Sequence, residues 1–228
     1  MYLSRGFLNP ISRAVRADLA DVASMHRTIL RAFPDDSGVS PRKANGVLHR
    51  IDEDPQRGRF VLLVSSGTRP DFTRLPEGYF LDLSDEFTLA TGENPAVREV
   101  SEERGRIRRD DCFVFRLLAN VTRRVETKSA PDGTRSNGRR VPVRGDGARL
   151  AWLSRRATSA GFGVEDVRML EVQSRSGRDS DGLLTFSGVQ FDGRLKVADV
   201  DAFRTILAGG IGPAKAYGFG LLSVARAP

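Results

Sequence analysis

Apolar positions along this chain switch between the period of two that marks strands and the spacing of three to four that marks helices. Residues 2–8 read as extended and are closed by Asn9-Pro10. Leu19, Val22, Met25, Ile29 and Phe33 follow helical spacing, which predicts a helix capped by Asp18 and ended by Pro34-Asp35-Asp36-Ser37-Gly38. Residues 47–51 and 60–64 predict a hairpin turning through 52–58. Residues 67–110 hold Pro70, Pro76, Pro95 and a charged run from Glu99 to Asp111, an irregular connection with a little strand at 79–83. The second half is more regular. Phe113, Phe115, Leu117, Ala119 and Val121 alternate, giving a strand with one apolar face. Residues 124–146 mix glycine and arginine and predict an exposed loop or mobile hairpin. Residues 148–160 then read as a helix ended by Gly161, 167–175 and 183–191 as strands, 200–207 as a helix capped by Asp199, and 219–224 as a last strand.

The order β-α-β-β-α-β is that of a ferredoxin-like domain, and the first half shows its first four members. The expected fold is therefore α+β, two tandem ferredoxin-like (RRM-like) domains: residues 1–90, a linker over 91–110, and residues 111–228.

With 228 residues, 39% hydrophobic and 29% charged, the chain has enough apolar material for two packed cores and is not wholly disordered. No apolar run approaches the roughly 18–20 residues a membrane span needs, and residues 1–30 lack the apolar core of a secretory signal, so a cytoplasmic location is expected. One cysteine, Cys112, excludes an internal disulfide and any cysteine-based zinc site. The net charge is +7, but it is regional: residues 104–156 carry fifteen basic and five acidic side chains. Only four of the 36 basic residues are lysines. GC-rich coding accounts for that ratio as well as function does, but not for the clustering. Concentrated guanidinium forks suit phosphate, and an excess of like charge repels itself unless a polyanion neutralises it. Nucleic acid is the expected partner. Within this region Arg123, Arg124, Lys128, Arg135, Arg139 and Arg140 form a glycine-punctuated basic arm suited to the shape and phosphates of an RNA stem. The aromatic strings by which an RNA-recognition motif stacks bases are absent.

The stretch Gly209-Gly210-Ile211-Gly212-Pro213-Ala214-Lys215-Ala216-Tyr217-Gly218-Phe219-Gly220-Leu221-Leu222 joins the last helix to the last strand. Its glycines permit positive φ and close approach, yet it lacks the order of a P-loop, and a tight αβ connection would need little less. The string resembles the C-terminal glycine-rich loop of CRISPR-associated endoribonucleases. The resemblance narrows to the CasE family, guide-RNA-processing subunits of type I-E Cascade. It is carried further by Met1-Tyr2-Leu3-Ser4-Arg5, by His26-Arg27-Thr28-Ile29-Leu30-Arg31-Ala32-Phe33-Pro34, by Phe115-Arg116-Leu117-Leu118-Ala119-Asn120, and by Gly138-Arg139-Arg140-Val141-Pro142. Residues 84–110 are the least family-like.

The resemblance implies two ferredoxin-like domains that bind the hairpin of the CRISPR repeat and cut at its 3′ base without metal or cofactor. It implies 2′,3′-cyclic phosphate and 5′-hydroxyl ends, and an enzyme that stays on its product beside other Cascade subunits. By the residues alone, the proton transfers of such a reaction suit a histidine, and there are two, His26 and His49. His26 stands at the position of the family's catalytic histidine, whereas His49, in a predicted strand, is expected to be structural. Arg27 and Arg31, one turn apart, are expected to hold the scissile phosphate and offset its charge. Some relatives carry a tyrosine one turn before the histidine; here that position is Ala23. The second proton role then falls to water, to Lys128, or to His26 acting nearly alone. Gly210, Gly212, Lys215 and Tyr217 are expected to contact RNA near the cut. A non-catalytic RNA-binding scaffold on the same fold is the competing reading, with an RNA chaperone or ribosome-associated module a weaker one.

Overall fold

The structure, a computed structural model, describes residues 1–35, 41–54, 58–83, 93–125, 139–180 and 182–227. The first domain begins with β1 (Tyr2–Phe7), then α1 (Arg13–Ala20), α2 (Val22–Leu30), α3 (Pro41–Ala44), β2 (Leu48–Asp54) and β3 (Arg59–Ser66). It is completed by β4 (Ala96–Glu99), followed by α4 (Ser101–Gly105). Its antiparallel sheet runs β2-β3-β1-β4, the ferredoxin-like order. Among the described residues between β3 and β4, the place of the second helix of that pattern holds a single 3₁₀ turn, Phe72–Arg74.

Two expectations are corrected here. The helix expected over 18–33 is two helices, and its start is capped by Asp21 rather than Asp18. Asp21 Oδ1 accepts from the backbone N–H of Ala23 and Ser24 at 2.8 and 3.1 Å, which satisfies two of the donors that a helix start leaves unpaired. Asp18 is buried instead, where the hydroxyls of Tyr79 and Ser24 donate to it at 2.8 and 2.6 Å. The strand expected near 79–83 is only a bridge between Leu8 and Phe80. The sheet's fourth strand is β4, inside the stretch expected as a linker.

The second domain comprises β5 (Cys112–Asn120), β6 (Thr122–Val125), β7 (Arg139–Pro142), α5 (Asp146–Ser159), β8 (Phe162–Asp179), β9 (Gly182–Val197), α6 (Val200–Gly209) and β10 (Leu222–Arg226). Its sheet runs β10-β5-β9-β8, the same order again, so the protein is two ferredoxin-like domains in tandem. Phe113, Phe115, Leu117 and Ala119 of β5 are buried, with Trp152, Leu153 and Ala157 of α5 and Phe203 and Leu207 of α6 in one core. Deleting one such large apolar side chain costs about 2–5 kcal/mol. Asp199 caps α6 as expected, accepting from Asp201 and Ala202 N–H. A smaller two-stranded sheet, β6 with β7, carries the basic arm; residues 126–138, with Lys128 and Arg135, lie outside the described residues.

Strands β8 and β9 exceed their expected lengths. β9 pairs with β5 only from Gly188 to Lys196, so the rest of the β8–β9 hairpin projects past the sheet toward the first domain. Its outer part lies on the start of α2 at Gly177. A Cβ on Gly177 would come within 2.5 Å of Asp21 Oδ1 and 3.0 Å of Ala23 N, an approach only glycine allows.

The domains are also joined by a buried guanidinium. Arg50, 2% exposed, donates from Nε and Nη2 to Asp52 at 2.6 and 2.9 Å. Its Nη1 donates to the backbone carbonyls of Arg116 and Leu221 in the second domain, at 3.3 and 3.1 Å. Arg175 of β8 adds a bond from Nη2 to the Ile51 carbonyl at 3.3 Å.

Candidate active site

Helix α2 is amphipathic: Met25 and Ile29 enter the first domain's core, which leaves His26 half-buried on the side facing the second domain. There it meets the glycine-rich connection between α6 and β10. That connection is held by Ile211 N–H bonding to the Gly220 carbonyl and Gly220 N–H to the Leu118 carbonyl, both at 2.8 Å. Gly210 (φ +71°) lies where a Cβ would sit 2.8 Å from the Gly220 oxygen and 2.9 Å from Leu48 of β2. The loop can therefore seat against the first domain only with glycine there.

Within the loop a 3₁₀ turn, Lys215–Tyr217, presents two side chains. The Tyr217 ring meets the His26 imidazole edge-on, with centroids 6.1 Å apart. Lys215 is half-buried; its Nζ donates to the Gly209 carbonyl at 2.6 Å, and burial, with the charges of Arg42 and Arg156, lowers its pKa.

Burial first, then the charges of Arg42 and Arg27, pull the His26 pKa from 6.5 down to about 4. The imidazole is therefore neutral at neutral pH and able to accept a proton, while Arg27 and Arg42 are near enough for their charges to act on it and on an anion beside it. His49 lies behind it, fully enclosed. Burial, followed by His26, Arg175 and Arg42, depresses it to about 3. That environment agrees with a structural role for His49.

The sequence-predicted residues fall into two groups. His26, Lys215 and Tyr217 converge with Arg27 at the domain boundary; Arg31 is the exposed C-terminal cap of the same helix. Arg140 shares a cleft of about 300 Å³ with Arg156, Gly210, Gly212 and Lys215, which links the basic arm to the loop. Arg123, Arg124 and Arg139 are exposed on β6 and β7. Arg124 stands directly opposite Arg140 in that ladder, a like-charge pairing that disfavours the hairpin until an anion neutralises it. Sequence reasoning missed Arg42, Arg50, Arg156 and Arg175. Only their arginine identity hinted at a role, and arginine is ordinarily read as surface. Among the described residues no group of three His, Cys, Asp or Glu side chains is arranged to hold a metal, and no helix is long and apolar enough to cross a membrane.

Fold and site together define a class: tandem ferredoxin-like proteins in which a histidine on the first domain's helix meets a glycine-rich loop of the second that also lines a basic cleft. The family model described as CRISPR associated protein matches residues 1–226. The chain belongs to that family, with the Cse3 and CasE proteins. It is 32% identical over 239 aligned positions to the CRISPR-associated endoribonuclease Cse3 of Thermus thermophilus, covering 99% of this chain and 100% of that one. It is 34% identical over 115 residues to the CRISPR system Cascade subunit CasE of Escherichia coli, covering 49% of this chain and 56% of the relative. A solved structure of CRISPR endoribonuclease Cse3 bound to a 19-nucleotide RNA matches with a TM-score of 0.77 at 32% identity, over 99% of this chain and 100% of that one.

Proposed function

We propose that this protein is an endoribonuclease that cuts CRISPR precursor RNA at the 3′ base of the repeat stem-loop and stays on the product as a Cascade subunit. The reading is supported by the relatives' names and, above all, by one observation: a neutral, half-buried histidine set among arginines beside a glycine-rich loop. In the proposed reaction His26 takes the proton of the 2′ hydroxyl, and the 2′ oxygen attacks the adjacent phosphorus. The bond to the 5′ oxygen breaks, leaving a 2′,3′-cyclic phosphate. The imidazolium so formed is a ready donor in this pocket and returns its proton to the leaving oxygen, giving a 5′ hydroxyl. Arg27, Arg31, Arg42 and Lys215 offset the charge that builds on the phosphorane. Arg123, Arg124, Lys128, Arg135, Arg139 and Arg140 grip the stem through its phosphates, and Gly210, Gly212 and Tyr217 meet the strand near the cut. No step calls for a metal ion.

The test is single-turnover cleavage of the cognate repeat hairpin in excess EDTA. Wild type should cut fully, and His26→Ala should be slowed about 10²–10⁴-fold while still binding uncut RNA. Activity lost in EDTA and restored by a divalent ion would sink the metal-free mechanism. A His26→Ala variant keeping half the rate would overturn the role given to His26 and pass the proton transfer to another group such as His49; a wild type that binds the hairpin without cutting it would leave the protein a scaffold.

A further inference from the structure

His26 receives no aromatic support from its own helix. Position 23, one turn earlier, holds a buried alanine, 3% exposed, under the outer part of the β8–β9 hairpin. A large side chain at that position has no open space to occupy. The ring that His26 meets arrives instead from the other domain: Tyr217, edge-on at an interplanar angle of 68°.

Tyr217 is itself held on several sides. The ring of Phe186, from β9, stacks on it at 5.0 Å between centroids and 27° between planes. Its hydroxyl bonds with Asp179 Oδ2, at the end of β8, at 3.2 Å. Its backbone N–H donates to the Ala214 carbonyl at 2.9 Å, and Ala214 is held left-handed at φ +63°, a conformation uncommon outside glycine. Strained backbone beside a candidate site points to a side chain whose placement matters.

We infer that Tyr217 is the positioning residue for His26: its ring fixes the imidazole's plane and shields it from water, so the first domain's histidine is set up by the second domain. The inference rests on the role proposed for His26 and deepens it. Other charged or titratable groups act on the imidazole as well: Arg27 from α2, Arg42 from α3 and His49 from β2. Lys215 shares the turn of Tyr217, and Asp179 is tied to the tyrosine hydroxyl. Tyr217→Phe releases Asp179 but keeps the ring, whereas Tyr217→Leu removes both, so the two variants together isolate the ring's contribution.

The experiment compares wild type with Tyr217→Phe and Tyr217→Leu in the full chain. It reads single-turnover cleavage, affinity for uncut repeat RNA, and the His26 imidazole titration by NMR on RNA-free protein. Tyr217→Phe keeps the ring and should stay within about threefold of wild type, whereas Tyr217→Leu keeps bulk without the ring and should lose about tenfold or more in rate. The Tyr217→Leu substitution should raise the His26 titration of RNA-free protein by about one pH unit, because water reaches the imidazole; cleavage is read at saturating protein, so that any affinity lost with the contact proposed near the cut is separated from the rate. A Leu variant with wild-type rate and unmoved titration would overturn the inference. So would equal losses in both variants, which would assign the effect to the hydroxyl. If the Leu variant does not fold, the wild-type protein decides: cross-relaxation between the His26 and Tyr217 ring protons is expected, and its absence overturns the inference. The NMR readouts need no RNA, so they fail separately from the proposed cleavage, which His26→Ala tests.

Discussion

Mild acid should destabilise this protein well before its carboxylates titrate, because two imidazoles are held neutral inside it. Unfolded, His26 and His49 take up protons near 6.5; folded, they resist until about 4 and about 3. Between those limits the unfolded chain binds more protons than the native one, so each step down in pH favours unfolding. The stability is fully present above 6.5 and is lost as pH falls toward the folded values. Each group is worth up to roughly 1.4 kcal/mol per pH unit in that window. Together they remove up to about 4 kcal/mol between pH 6.5 and pH 5, an upper bound because His26 keeps some access to water. That is a large share of the roughly 5–15 kcal/mol by which a native protein is stable. Asp21, Asp71 and Asp110 lie below their ordinary 3.8 and act only at lower pH, so they do not blur the result. Urea unfolding at pH 7, 6 and 5 measures it. His49→Gln, which removes one titrating group, should cut the pH slope by about half. Wild-type stability that moves by less than about 1 kcal/mol from pH 7 to pH 5, or a His49→Gln variant with the full slope, would refute the reasoning.

Two further outcomes are expected. Replacing Arg139 and Arg140 together by Ala should weaken binding of the repeat hairpin and reduce its salt slope by up to about 0.9 for each phosphate no longer neutralised, taking the duplex-DNA coefficient as a guide. An unchanged slope would mean that these side chains touch no phosphate. Arg50→Met should cost about 3 kcal/mol in urea unfolding, because it leaves Asp52 and two interdomain carbonyls without their donor; a loss below about 1 kcal/mol would show that Arg116, 3.9 Å from Asp52, takes over.

Much of the second domain was legible because its signals are local. Four alternating apolar residues define β5, and one aspartate defines the start of α6. The break between α1 and α2 was hidden because Asp18 and Asp21 are both plausible caps and apolar spacing continues across them. β4 escaped notice because four residues among prolines and charges carry too little pattern. The full length of β8 and β9 was obscured because their outer halves pack against another domain rather than a sheet core. At the site, His26, Lys215 and Tyr217 are singled out by a resemblance, whereas no local pattern distinguishes the buried Arg50 and the half-buried Arg175 from solvent-facing arginines. Their partners across the boundary are backbone carbonyls supplied by the other domain, and a sequence does not display those.

The pocket around His26 is finished by segments made much later in synthesis. When α2 first folds, neither the β8–β9 hairpin nor the glycine-rich loop has yet been translated, so the imidazole lacks the second-domain part of the burial that is the largest cause of its lowered pKa in the finished protein. The loop runs directly into β10, whose pairing with β5 is the most non-local in the second sheet, the kind of contact that is slow to form. A nascent first domain accordingly carries the histidine without its surroundings. The chain acquires a finished site as a late event of folding, after the basic hairpin that would grip RNA has already been made.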